Sequence, residues 1–105
     1  IAVDITGVFD KKISALDAHE SQMYEWLPWI GHYADKVPKD KGERLKWLAE
    51  TRKQTIKPEV MAALEKWYGK EKATTVKNTE AFEICEYGTQ PDEQMVKKLF
   101  PMLGK

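Results

Sequence analysis

The sequence predicts a small α/β fold dominated by helix, and three patterns carry this prediction. Apolar residues recur with helical spacing from Phe9 to about Leu27, and shorter helical patterns follow. Two segments, 1–5 and 80–87, have the composition of β-strands. The resulting order is strand, long helix, two helices, strand and a final helix.

Composition restricts the classes of protein to which this chain can belong. A length of 105 residues suits one hydrophobic core. Lys and Arg together number 17, as do Asp and Glu, so no net charge directs the chain toward nucleic acid or an anionic membrane. No apolar run is long enough for a membrane segment. The single Cys85 excludes an internal disulfide and favours a reducing, cytoplasmic compartment.

The first strand needs a partner, and the sequence offers few. The chain starts at Ile1 within segment 1–5, and segment 80–87 is the one other good candidate. Because an isolated strand pair is marginally stable in water, we expect residues 1–105 to be a single, incomplete domain from a longer protein. Removal of a processed leader is the alternative.

The long helix combines an apolar stripe with a polar run. The stripe consists of Phe9, Ile13, Leu16, Met23 and Leu27. His19 falls on its edge, Glu20 near its centre, and Ser21 and Gln22 point away from it. A carboxylate in the stripe is costly unless it is paired or the helix frays, and Pro28 is expected to end the helix.

The remaining elements follow from local signals. Asp40 with Glu43 resembles a capping box and opens a helix to about Lys53, and Pro58 begins a helix that Gly69 ends. Residues 70–79 are expected to be a polar connection.

The second strand, 80–87, is expected to be partly buried on both faces, with Phe82 on one face and Cys85 as a small core residue on the other. A last helix is expected to open at Thr89 and to stop at Pro101.

No complete catalytic motif is present in the sequence. Two histidines and one cysteine lack zinc-ligand spacing, Ser21 lacks the glycines of a nucleophile elbow, and no glycine-rich phosphate loop occurs. His19 is either a structural histidine at the helix border or part of a pocket wall. Gln22 is either solvated or bound to substrate, and Glu80 is either a structurally paired carboxylate or a site residue.

Aromatic residues cluster after the polar run. Of the four tryptophans, most are expected in the core, but Trp26, Trp29 and Tyr33 flank the turn at Pro28. Flat aromatic faces at such a turn can line a ligand entrance suited to sugar rings or form a subunit contact, although packing is their commoner use.

Four segments taken together resemble the C-terminal part of the LmbE/PIG-L family of zinc-dependent de-N-acetylases. They are Val3-Asp4-Ile5-Thr6, Lys12-x-x-Ala15-Leu16-x-x-His19-x-Ser21-Gln22, Glu80-Ala81-Phe82 and Leu99-Phe100-Pro101. The resemblance touches both ends of the chain and is thin between residues 26 and 75.

This resemblance implies a Rossmann-like α/β domain whose zinc polarises an acetamide carbonyl and activates a water. The family's Ala-His-Pro-Asp-Asp-Glu and His-x-x-His motifs, which supply the metal ligands and the base, do not occur in this chain. The segment would therefore contribute scaffold and pocket wall through His19, Ser21 and Gln22, with the missing N-terminal portion of the same domain as its partner. Its substrate would be an N-acetylated sugar or sugar conjugate. Assembly into a homo-oligomer is compatible with this interpretation.

A second hypothesis is a non-enzymatic helical module. Such a module would bind a partner protein or a glycan through the Trp/Tyr-rich stretch. On either hypothesis Trp26 and Trp29 are candidate binding residues, with Ser21, Gln22 and Glu80 beside them in the substrate-binding set.

Overall fold

The computed structural model describes residues 1–105 and shows a helix-rich chain with a small sheet. Its strands and α-helices are β1 (Ala2–Asp4), α1 (Phe9–Asp17), α2 (Leu27–Ile30), α3 (Lys41–Thr51), α4 (Pro58–Tyr68), α5 (Lys70–Ala73), β2 (Thr79–Ala81) and α6 (Glu93–Leu99). Single turns of 3-10 helix cover Thr6–Val8 and Ala34–Lys36, and a π-helical turn covers Gln22–Trp26. The chain forms two compact units, Ile1–Thr6 with Gln54–Lys105 (the strand unit) and Gly7–Lys53 (the helix unit).

The strand unit is built on the pairing of β1 with β2. The two strands are antiparallel, with Ala2 opposite Ala81 and Asp4 opposite Thr79. The Thr6 hydroxyl extends the contact between the two strand regions. It accepts hydrogen bonds from the backbone N–H groups of Lys77 at 3.0 Å and of Asn78 at 3.3 Å. The mixed α/β character is thus present, whereas a Rossmann-like layout, whose sheet is mostly parallel, stays a prediction.

The core of the strand unit forms where α4 packs against β1 and against α5. Its buried members are Ala2, Leu64, Ala73 and Val76. Pro58 stands in the first turn of α4 and Gly69, with φ of +81°, follows its last residue, as predicted. The expectation of a polar connection over 70–79 was wrong in part, since α5 forms there and supplies the core residue Ala73, and Val76 beyond it is also in the core.

The predicted strand 80–87 is much shorter than expected. The strand β2 covers Thr79–Ala81, and one further pair of backbone hydrogen bonds, at 2.8 Å, joins Phe82 to Ile1. Cys85 is exposed, which corrects its placement in the core, and Phe82 is 45% exposed. The last helix begins after Asp92 rather than Thr89, because the Asp92 carboxylate caps it.

The helix unit packs α1 against α3. Ile13, Tyr24 and Leu48 form its buried core. The predicted stripe is largely confirmed, because its other members packed against this core are Phe9, Leu16 and Met23. The Asp40 cap is also confirmed, since its carboxylate accepts a hydrogen bond from the Glu43 N–H at 3.2 Å.

The long helix Phe9–Leu27 is not continuous, and this corrects two expectations. It ends at Asp17, resumes at Glu20 and continues through the π-helical turn to Ile30. Pro28 does not end it. In the π-helical turn the Leu27 N–H bonds to the Gln22 carbonyl, which widens the helix just before a proline that lacks an N–H and crowds the preceding turn.

The interruption of the helix also moves Glu20 out of the apolar stripe. Its carboxylate is exposed and lies 3.6 Å from the Lys41 ammonium group.

No helix of the structure is both long and apolar enough to cross a membrane.

Candidate functional site

Four of the six predicted site residues line one surface depression. Ser21, Gln22, Trp26 and Trp29 surround a volume of about 350 Å³, and Glu25 completes the lining. We call these five residues the tryptophan depression. It lies wholly within the helix unit.

Helical spacing brings these residues together. Ser21, Glu25 and Trp29 are separated by four residues each, and Gln22 and Trp26 repeat the interval, so all five share one face of residues 20–30. Tyr24 and Pro28, on the opposite face, are buried. The depression is therefore the solvent-facing side of a helical segment whose other side is in the core.

Both tryptophans present their rings to solvent. Trp26 is 50% exposed and Trp29 is 69% exposed. Single exposed apolar residues are ordinary, but two indoles on one helical face form a patch of the kind that binds ligands or partners. The prediction that they flank a turn at Pro28 was wrong in its geometry, since they lie on consecutive helical turns.

Tyr24 anchors this segment from beneath. Its hydroxyl donates a 2.5 Å hydrogen bond to the Asp17 carboxylate, and its ring lies 6.2 Å from Trp47 and 5.1 Å from the Arg44 guanidinium. Burial raises the pKa of Tyr24 to about 12, and the hydrogen bond and negative charge of Asp17 add to this effect. The face opposite the depression is thus fixed by packing and by a hydrogen bond to a charged group.

His19 does not line the depression. It is exposed at the break between α1 and the following helical segment, where its backbone N–H bonds to the Leu16 carbonyl and its carbonyl accepts from the Met23 N–H. The backbone of His19 therefore connects the two helical segments.

Glu80 belongs to the strand unit and lines a different groove. It pairs with Val3 in the sheet and is half-buried. The groove, of about 710 Å³, runs beside the N-terminal half of α4, and Glu59 and Glu83 also line it. The predicted site residues therefore divide between the two units.

The residues of this chain do not fit a zinc ion. No three side chains among His, Cys, Asp and Glu are grouped so that they could hold a metal. His19, His32 and Cys85 are each exposed.

Glu25 is the residue of the depression that sequence reasoning missed. Its position four residues after Ser21 and four before Trp29 was a usable signal. The signal was hidden because the helix was expected to end before Trp29.

In comparisons with known proteins, the chain matches no family model, no curated protein and no solved structure.

Proposed function

We propose that this segment is the C-terminal, sugar-binding part of a zinc-dependent hydrolase that removes the N-acetyl group from an amino sugar or sugar conjugate. One observation carries the proposal: Ser21 and Gln22, two residues of the family resemblance, line the same depression as Trp26 and Trp29. Ser21 and Gln22, which suggest the deacetylase activity, thus lie beside Trp26 and Trp29, whose rings can contact a sugar.

The depression offers both kinds of contact that a sugar ring uses. The faces of Trp26 and Trp29 provide apolar surface for the C–H groups of a pyranose. The Ser21 hydroxyl donates and accepts, and the Gln22 amide has two donor hydrogens and an acceptor oxygen for sugar hydroxyls or an acetamide. These residues would bind and orient the substrate.

The bond-breaking chemistry belongs to residues outside this segment. When bound in an enzyme of this class, zinc polarises the acetamide carbonyl and lowers the pKa of a water. This chain would contribute the substrate surface and the scaffold behind it, held by Tyr24 and its hydrogen bond to Asp17. The Rossmann-like layout and a cytoplasmic location are parts of the same proposal.

The test is acetate release from N-acetylglucosamine conjugates by the full gene product that contains this segment. Trp29→Ala is expected to raise KM about threefold to tenfold with a smaller change in kcat, because it removes a ring contact. Ile30→Ala is the matched control, since Ile30 is 53% exposed on the same helix but does not line the depression. Absence of acetate release from every N-acetylated sugar tried would contradict the proposal.

A non-enzymatic partner-binding module remains the second candidate, and one observation favours it. The exposed apolar surface continues past the depression to Ile30. A flat protein partner would cover Ile30 as well as Trp29, whereas a sugar in the depression would not. Ile30→Ala therefore separates the two functions, because it weakens binding of a protein partner and leaves sugar binding unchanged.

A further inference from the structure

We infer that the tryptophan depression prefers a protonated amino sugar to the neutral N-acetylated form, so that it holds the deacetylated product more tightly than the substrate. This inference rests on the proposed function, because it takes the depression to be a sugar site. It adds the charge of the ligand and assigns the residue that selects it, Glu25.

The first step of the argument is the charge of the lining. Glu25 is the one charged residue among the five, and no Lys, Arg or His lines the depression. The carboxylate of Glu25 forms no ion pair or hydrogen bond. The Lys41 ammonium group lies by Glu20, which is outside the depression. The site therefore presents one uncompensated negative charge to a ligand.

The second step is the chemistry of the two indoles. The face of a tryptophan ring attracts cations, and Trp is the best aromatic residue for this contact. Trp26 follows Glu25 directly and Trp29 lies four residues after it, so both exposed indoles share its helical face. Aromatic faces combined with a carboxylate are the means by which proteins recognise ammonium ligands.

The third step compares the two sugars. Deacetylation replaces a neutral acetamide by an amine that is protonated in neutral solution. Ser21 and Gln22 can hydrogen-bond the hydroxyls of either sugar. The ammonium group gains in addition a charge–charge attraction to Glu25 and a cation–π attraction to the indole faces, which the neutral acetamide lacks. The expected preference for the amine is about threefold to tenfold, which suits charges in an exposed site.

A consequence for the enzyme follows from this preference. The product would compete with the substrate for the depression, and the competition would weaken as salt screens the exposed carboxylate. Inhibition by the amine product at low ionic strength is therefore an expected property of the full protein.

The experiment titrates the full gene product, with zinc chelated to prevent turnover, and follows the indole N–H resonances of Trp26 and Trp29 by NMR. Trp26→Phe and Trp29→Phe variants assign these resonances. The ligands are glucosamine, N-acetylglucosamine and tetramethylammonium, the last as a probe of charge alone. Glucosamine is expected to bind about threefold to tenfold more tightly than N-acetylglucosamine, and tetramethylammonium is expected to shift the same two signals.

Glu25→Gln is expected to abolish the preference, because the Kd of glucosamine then rises to about that of N-acetylglucosamine. Glu20→Gln is the matched control, because Glu20 is an exposed carboxylate of the same segment that does not line the depression. Equal binding of the two sugars to the natural protein, or a preference that survives Glu25→Gln, overturns the inference and leaves the proposed function standing. Failure of both sugars to shift either indole signal overturns the proposed sugar site itself.

Discussion

The two units of the molecule are stabilised by different kinds of interaction. In the strand unit, hydrogen bonds join residues 71 to 81 positions apart, as between the backbones of Ile1 and Phe82 and from the Lys77 N–H to the Thr6 hydroxyl. In the helix unit, tilted aromatic contacts of Trp47 with Tyr24 and Tyr33 fill the space between nearby segments. Pairing of distant backbone segments thus organises one unit, and side-chain packing organises the other.

This difference extends to their electrostatics. In the strand unit, burial raises the pKa of Asp4, but hydrogen bonds from Thr6 and Lys72 outweigh it and lower the pKa overall. In the helix unit, burial and Asp17 both raise the pKa of Tyr24. The strand unit uses the charged Asp4 carboxylate to join chain segments, whereas the helix unit buries the neutral Tyr24 hydroxyl against the Asp17 carboxylate.

The largest effects are expected from Leu64→Ala in the strand unit and Leu48→Ala in the helix unit. Both leucines are 0% exposed, so each truncation leaves a cavity and is expected to lower the free energy of unfolding by about 2–5 kcal/mol. Urea denaturation measures the loss, and amide hydrogen exchange shows which unit loses protection. A loss below about 1 kcal/mol in either variant would show that the leucine is not in a packed core.

Two tyrosine hydroxyls provide the next comparison. Tyr24→Phe removes a hydrogen bond to a carboxylate and is expected to cost about 1.5–3 kcal/mol. Tyr68→Phe removes a 3.2 Å bond from the Asp4 N–H and is expected to cost about 1 kcal/mol. Urea denaturation at neutral pH compares the two variants. Equal losses of unfolding free energy would contradict the expectation that the charge of Asp17 strengthens the hydrogen bond of Tyr24.

Ionisation of the Tyr24 hydroxyl also makes the free energy of unfolding depend on pH. Its pKa is raised from 10.0 to about 12 in the folded chain, so its contribution to stability is fully present below pH 10. The contribution is lost as the pH rises from 10 toward 12, because the unfolded chain then releases the proton first. The stability difference between the natural chain and Tyr24→Phe should therefore shrink across that interval, and a constant difference would contradict the assignment.

The same contrast explains which parts of the fold could be predicted. Signals that act within one helical turn were read correctly: Asp40 caps α3, Pro58 opens α4 and Gly69 ends it. The strand expected over residues 80–87 is wrong in its bounds, because its extent depends on pairing with the distant β1, which lies opposite Thr79–Ala81. Local propensity cannot reveal how far a remote partner extends.

The depression contains four of the predicted site residues, but the sequence did not predict that they share one helical face. Ser21 is a candidate through the family resemblance and Trp29 through its aromatic ring, and they share a face because the helix passes through Pro28. That continuation depends on the π-helical turn, for which the sequence has no simple signal. Glu25 was missed for the same reason.

Helix caps are expected to give effects of about 1 kcal/mol in both units. Asp40→Ala in α3 and Asp92→Ala in α6 each remove a carboxylate that accepts a backbone N–H three residues later, at 3.2 Å and 2.8 Å. Thermal unfolding measures the losses. Asn at either position is the control, because it restores an acceptor and should recover most of the stability.

The smallest effect is expected from Glu20, and it tests where the helix break places this residue. Were Glu20 in the apolar stripe of a continuous helix, Glu20→Leu would relieve a buried charge and stabilise the helix unit by more than about 1 kcal/mol. With the helix broken after Asp17, the carboxylate is exposed and 3.6 Å from the Lys41 ammonium group. Glu20→Leu and Glu20→Gln should then both change the free energy of unfolding by less than about 0.5 kcal/mol, since an exposed ion pair contributes little. A clear stabilisation by leucine alone would mean that the helix runs unbroken through residues 18 and 19.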